Sequence, residues 1–313
     1  MKTKFIIILL LSTFAYAGTS SFTLENDAIV GKDNHYTNGI YYTWMSDNNT
    51  TFPDILPFLN MKQKNVAFSI SHAIFTPKNK KISTRDLNDL PYAGYLDFNF
   101  LFYKSSANFF NEIGINAGLV GPSTGADSLQ KNFHALIGHD KPKGWDNQLK
   151  DHFISGISYQ LGYKTTPVKI KNLNLDFTTN IKGDYGNFYQ GVLIGGTVRL
   201  SSFPFANFLT AGTFIGANEA LLLNYKSTKK FNWAFSLGVY YNKFYKYYLI
   251  DKAIDEGYNL HSINYMQGAK LALDLYYDDY AVSFYLKSVK MVKDGISNSH
   301  NEETGGISIV FKF

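Results

Sequence analysis

The chain closes on "GGISIVFKF", Gly305 to Phe313, and the reading of this stretch decides the fold. Ile307, Ile309, Phe311 and Phe313 alternate with Ser308, Val310 and Lys312. A period of two sends successive side chains to opposite faces of a strand. One face is apolar throughout and the other mixed, so the strand separates two unlike environments.

A last strand that ends on an aromatic residue resembles the C-terminal signal of bacterial outer-membrane barrels. The opposite end agrees with it. Lys2 and Lys4 precede an apolar run from Phe5 to Leu11, followed by "STFAYAG" with small residues at Ala15 and Ala17. These are the parts of a secretory signal peptide over 1–17, with cleavage expected after Ala17 and residues 18–313 forming one mature domain. The apolar run is too short to span a bilayer as a helix, which takes roughly 20 residues. No Cys occurs, so disulfides and thiolate metal sites are excluded.

Between the ends, 23 Tyr and 26 Phe bring the aromatic share to 17%, the demand made by aromatic girdles at two membrane interfaces. Segments of strand character recur between polar turns near 19–28, 37–46, 65–75, 92–103, 107–120, 151–163, 172–183, 189–200, 231–244, 264–276, 279–290 and 304–313. The alternation is clear in "YLDFNFLFY" (Tyr95 to Tyr103) and in "FSLGVYYNKF" (Phe235 to Phe244). The expected fold is all-β, a transmembrane antiparallel barrel of about 12 strands, an even number as such barrels require. The segment 201–230 contains "FANFLTAGTFIGA" and is assigned to a long connection rather than a further strand. The formal charge of +5 is weak and dispersed, which argues against nucleic acid but suits a phosphorylated lipid.

With both termini in the periplasm, the connections 29–36, 76–91, 121–150, 184–188, 245–263 and 291–303 face outward. The 121–150 connection is the most unusual. Asp127 and Ser128 are candidate caps for a short helix running through His134, and Gly138 is a natural stop. Leu129, Phe133, Leu136 and Ile137 share one helical face, and the outer barrel wall is the expected surface for that face to pack on. Asn26, Asp27 and Thr37 offer hard oxygen donors near the first outer connection, and Asp140 follows the helix; such donors suit Ca²⁺ rather than a transition metal. Asp33, Asn34 and His35 are read as loop. "GPSTG" at Gly121 to Gly125 matches the nucleophile pattern G-x-S-x-G, but that elbow belongs to a parallel α/β sheet, so Ser123 is the weaker candidate.

"ENDAIVGKDNHYTNG" (Glu25 to Gly39), "AIFTPKN" (Ala73 to Asn79), "LPYAGYL" (Leu90 to Leu96) and "HALIGHDKPKGWDNQL" (His134 to Leu149) together resemble the outer-membrane lipid A 3′-O-deacylases, the LpxR family. The resemblance runs in order from about residue 20 to the C-terminus and is densest up to about residue 151. It implies a twelve-stranded barrel with its active site between the outer wall and a helix of an extracellular loop. It also implies a Ca²⁺-dependent enzyme that removes the 3′-linked acyloxyacyl chain from lipid A in the outer membrane. By the same resemblance, Asn26 and Asp27 match the family's Asn-Asp pair, Thr37 its threonine and His134 its catalytic histidine. Asp140 falls where the family has a carboxylate near the metal. Lys80, Lys81 and Arg85 align loosely as lipid A contacts, and Leu90 stands where the family often has Arg. The expected chemistry is ester hydrolysis, with Ca²⁺ on Asp27, Asp140 and Thr37, His134 as general base and Asn26 orienting water or carbonyl. A monomer is expected. The rival readings are a small pore, an adhesin or a barrel phospholipase.

Overall fold

The computed structural model describes residues 17–32, 35–47, 61–136, 138, 140–212, 215, 230–293 and 296–313. Residues 1–16 of the signal segment, Asp33, Asn34, Ile137 and most of 213–229 lie outside them. Among the described residues, twelve long strands form the wall. They are β1 (Gly18–Asn26), β2 (Tyr36–Ser46), β3 (Gln63–Phe75), β4 (Ala93–Ser105), β5 (Phe109–Val120) and β6 (His152–Lys164). β7 (Leu173–Gly186), β8 (Tyr189–Ser201), β9 (Phe231–Tyr247), β10 (Tyr265–Tyr277), β11 (Tyr280–Lys293) and β12 (Ile296–Lys312) complete the circuit. Each pairs antiparallel with its sequence neighbours, and β1 pairs with β12, so the sheet closes with no free edge. A short strand, Val168–Ile170, only extends the β6–β7 turn by pairing with the start of β7.

Alternation sorts the side chains between lipid and lumen. Phe22, Leu24, Ile40, Ile115, Ile157, Val239, Leu273 and Ile309 are exposed on the outside. Phe109 and Tyr163 meet in a tilted ring contact at 4.9 Å near the end that carries the termini, where Tyr277 and Tyr280 also stand exposed, forming an aromatic girdle. Buried polar groups line the inside. Glu25 accepts hydrogen bonds from Tyr36 Oη (2.6 Å) and Tyr285 Oη (2.7 Å) and pairs with Lys287.

The connection after β8 turns back into the barrel as a plug. Phe205 packs on Tyr276 (4.5 Å between centroids) beside Ala234, Ala281 and Val310, while Phe208 reaches Phe110 on the opposite wall (5.0 Å). Arg199 anchors it. Its guanidinium pairs with Asp176 at 2.9 Å and donates to Asn207 Oδ1 (2.6 Å) and to the carbonyls of Phe205 and Asn207 (both 3.2 Å). The described part of the 201–230 connection is therefore irregular rather than an extra strand, as the sequence indicates, but its apolar residues pack inside the lumen.

One expectation needs correction, and one connection holds an unforeseen helix. The outer connection placed at 291–303 is mostly strand, because β11 runs on to Lys293 and β12 starts at Ile296, the two residues pairing with each other. The 245–263 connection contains a helix, α2 (Tyr248–Asp255), that buries Leu249 and Ala253; α1 is the helix Ala126–Leu136.

Candidate active site

The top of β1 and β2 gathers the first group of candidates. β1 ends at Asn26, whose Oδ1 accepts the Ala28 N–H at 2.8 Å and so caps a 3₁₀ turn over Asp27–Val30. Gly31 closes that turn at φ 68°, a left-handed conformation that favours glycine. With its oxygen engaged in the cap, the Asn26 amide presents its NH₂ as a donor. Asp27 is 3% exposed. Opposite, Asn26 pairs with Asn38, and the residue before Asn38 is Thr37, which sits in a β-bulge where β2 slips against β3. Bulges re-aim side chains next to active sites. The buried Thr37 hydroxyl lies 2.8 Å from that of Thr76.

The second group lies on α1. Gly94 of "LPYAGYL" is where the helix meets the barrel: a Cβ there would collide with Thr124 Oγ1 and Ala126 Cβ. Ile74, Tyr92, Ala126 and Trp145 pack together on the outer wall around this contact. Register then fixes the distance to the first group. Asn26, Asn38, Ile74 and Gly94 are successive partners across four strands, so the helix foot stands about 14 Å from Asn26 along the wall.

The face by which α1 packs is the reverse of the one expected. Leu129, Phe133 and Leu136 are 40%, 50% and 83% exposed, whereas Ala126 and Gln130 are buried. On the outside of a membrane barrel lipid receives an apolar stripe, so the small and polar face is left to turn toward the wall. His134 follows Ala126 and Gln130 on that inner face at spacings of four. Its Nδ1 donates to the Asp140 main-chain carbonyl at 2.7 Å. The sequence reading gave Asp140 a metal-binding carboxylate; what touches His134 is its backbone oxygen, and its side chain is exposed. The helix also begins at Ala126 after left-handed Gly125, so Asp127 and Ser128 lie in its first turn rather than at its cap.

Gln130 is a residue that sequence reasoning missed. It is 4% exposed, its Oε1 accepts the Trp145 indole N–H at 2.8 Å, and its NH₂ is buried with no hydrogen-bond partner among the described residues. A buried donor left unsatisfied is rare and marks a place where a ligand can bind. The spacing of Gln130 and His134, one helical turn apart and followed by Trp145, was the available signal. Ser123 gives its proton to Asp151 Oδ2 (2.6 Å), and Asp151 Oδ1 also accepts the Ser123 N–H, so its hydroxyl meets a carboxylate rather than an imidazole.

The loop between β3 and β4 carries Lys80, Lys81 and Arg85. It is tied to the segment after α1 by Lys143 N–H to the Lys80 carbonyl (3.0 Å) and by Asn147 Nδ2 to the Ser83 carbonyl (2.6 Å). Lys81 and Arg85 are exposed, and Lys80 is half-buried. His35, read from sequence as plain loop, joins this region to the barrel. Its Nε2 meets Asp89 Oδ1 at 2.5 Å and its Nδ1 meets Glu302 Oε1 at 2.8 Å. Burial alone would push this imidazole down, but the bonds to Asp89 and Glu302 outweigh it and raise its pKa to about 9. Burial likewise pushes the Asp89 carboxyl up, and its hydrogen bonds with His35 reverse that and hold it below the usual carboxylate range.

Among the described residues, no three carboxylate or histidine side chains gather into a ready metal cage. A cation here would draw on mixed oxygen donors: the Asp27 carboxylate, the Thr37 hydroxyl, main-chain carbonyls of the 3₁₀ turn and, from the segment after α1, the Asp140 carboxylate. That set is hard and oxygen-only, which fits Ca²⁺.

Fold and site together define a closed twelve-stranded outer-membrane barrel with polar candidates at the top of β1 and β2 and an extracellular helix against the neighbouring β3 and β4. The chain belongs to the LpxR family, whose description is "Outer membrane protein LpxR" and whose sequence model matches residues 5–313. Among solved structures it is similar to LpxR from Salmonella typhimurium, with a TM-score of 0.76 at 17% identity, covering 94% of this chain and 100% of that one. It is less similar to the translocator domain of the autotransporter NalP from Neisseria meningitidis (TM-score 0.42, 9% identity, 95% and 88% covered). The β domain of the Bordetella autotransporter BrkA is comparable (0.43, 7%, 95% and 99%). No curated protein sequence matches the chain.

Proposed function

We propose that this chain is a Ca²⁺-dependent hydrolase that removes the 3′-linked acyloxyacyl chain from lipid A in the outer leaflet. The observation that carries the reading is the fixed tautomer of His134 on the wall-facing side of α1. With Nδ1 donating to the Asp140 carbonyl, Nε2 is the basic nitrogen. It takes a proton from water as the water oxygen attacks the ester carbonyl carbon. The same proton then goes to the departing sugar oxygen, releasing a fatty acid and a hydroxyl.

Asp27, Thr37 and Asp140 are the residues that would hold the cation. When bound, it supplies positive charge for the oxyanion that develops on the carbonyl. The amide NH₂ of Asn26 and that of Gln130 are donors for carbonyl oxygens of the bound lipid, the second oriented by Trp145. Lys80, Lys81 and Arg85 stand on the outer rim, where the phosphates of the lipid lie, and an exposed apolar stripe on α1 keeps the site in the acyl region. The lumen, crossed by Phe205 and Phe208, gives no support to the rival reading of a pore.

Purified protein in detergent, given defined lipid A, tests this. Release of the 3′ acyl group, stopped by chelation and restored by Ca²⁺, is expected. Release from phospholipid but not from lipid A would move the chain to the phospholipase reading. Activity that survives chelation and the loss of His134 would overturn the mechanism.

A further inference from the structure

His35 stands where three parts of the extracellular rim meet. Glu302 of β12 holds the entry to β2, its Oε2 accepting the backbone N–H groups of His35 (3.0 Å) and Tyr36 (3.2 Å) and its Oε1 meeting the His35 ring. Thr76, whose hydroxyl touches that of Thr37, donates its N–H to the His35 carbonyl at 2.9 Å. On the other side of the ring, Asp89 fastens both ends of the basic loop: its Oδ2 accepts the Lys78 N–H and its Oδ1 the Leu90 N–H, each at 2.8 Å. Lys80, Lys81 and Arg85 lie between those ends. Lys32 and Glu303 form a separate ion pair nearby at 3.7 Å.

The other attachments of this loop lead elsewhere. Asn259 N–H to the Leu87 carbonyl (2.7 Å) ties it to the segment after α2, and Lys143 and Asn147 tie it to the segment after α1. Beside the Thr76 contacts at the start of the loop, the His35 ring joins the loop to the β1–β2 side of the site. His134 and Asn26 have separate supports, the Gly94 contact and the Ala28 cap.

We propose that His35 is a positioning residue that holds the basic loop in register with the Asn26–Thr37 corner and thereby sets affinity for a phosphorylated lipid. This rests on the deacylase reading above. His35 touches no reacting atom; it acts through Asp89 on the loop and through Glu302 on the start of β2. Its loss therefore weakens binding and spares the chemical step.

The test measures kcat and KM for lipid A in detergent micelles with the parent, His35→Ala, Asp89→Ala and the double variant, folding being checked by heat-modifiable gel mobility. Either single substitution is expected to raise KM about ten-fold and to leave kcat within about two-fold, the signature of lost uniform binding. The double variant should be no worse than either single one, because both break one bridge. His35→Arg, whose guanidinium can donate to both carboxylates, should recover most of the affinity. An unchanged KM in folded variants, a fall in kcat alone or additive losses would overturn the proposal. Should His35→Ala not fold, Asp89→Asn carries the same comparison. If the parent itself releases no acyl group, the deacylase reading fails, and trypsin decides the bridge separately. Cleavage at Lys80, Lys81 or Arg85 should be faster in Asp89→Asn than in the parent, and equal rates would refute it.

Discussion

His134 Nδ1 and the main-chain oxygen of Asp140 stand 2.7 Å apart, and this one bond fixes which imidazole nitrogen can accept a proton. Because the oxygen belongs to the backbone, Asp140→Asn keeps the bond while removing the carboxylate proposed to hold the cation. Activity of that variant should fall at low Ca²⁺ and recover as Ca²⁺ is raised, whereas His134→Gln should stay inactive at every concentration. Initial rates across a calcium titration check both.

Trp145 orients Gln130 by donating to its Oε1. Trp145→Phe keeps the ring against Tyr92 but removes the donor, leaving a buried oxygen unsatisfied at a cost of about 1–3 kcal/mol. The amide can then turn its oxygen toward the substrate. A fall in kcat of about a hundred-fold is expected, on the scale of one lost transition-state donor, and steady-state kinetics read it.

Gly94 lets α1 lie on the wall, since any Cβ there meets Thr124 and Ala126. Gly94→Val should lift the helix and cost activity by more than a hundred-fold, roughly the loss that follows misplacement of a catalytic group by about 1 Å. The barrel itself should still fold, as gel mobility before and after heating will report.

The His35 bridge depends on pH in a defined direction. Its pKa is raised from an unfolded value near 6.5 to about 9, so its stabilisation is fully present below about pH 6.5 and disappears as pH rises through 9. Trypsin cleavage of the Lys78–Arg85 loop should accelerate between pH 7.5 and 9.5 in the parent, relative to His35→Gln, in which the relative rate stays flat. Equal pH profiles would contradict the assignment.

Arg199 has four partners in the plug and wall, with Asp176 buried beside it. Arg199→Ala leaves that carboxylate uncompensated and should destabilise the barrel by about 3–5 kcal/mol. A lower temperature for the heat-induced mobility shift would register this.

The wall was legible in the sequence because lipid outside and polar lumen inside impose strict alternation, and strand bounds shift by only a few residues. The added length of β11 and β12 was not, since "SNSHNEET" (Ser297 to Thr304) carries no apolar alternation. The helix was legible in position but not in orientation. Helical periodicity identifies an apolar face; it does not say whether protein or lipid receives it, and for Leu129, Phe133 and Leu136 it is the outside. "FANFLTAGTFIGA" was ambiguous for a related reason: Phe205 and Phe208 are apolar because they pack inside the lumen. Asn26, Asp27, Thr37 and His134 are candidates through short local motifs, whereas the His35 bridge joins residues 54 and 267 positions apart, beyond any local signal.

The central claim is hydrolysis of lipid A by a site built on His134. Mass spectrometry of lipid A from cells carrying the parent, the His134→Ala variant or neither tests it most directly. Lipid A lacking the mass of the 3′ acyloxyacyl chain is predicted with the parent alone. Unmodified lipid A in cells with folded parent protein, or equal loss with His134→Ala, would contradict the account.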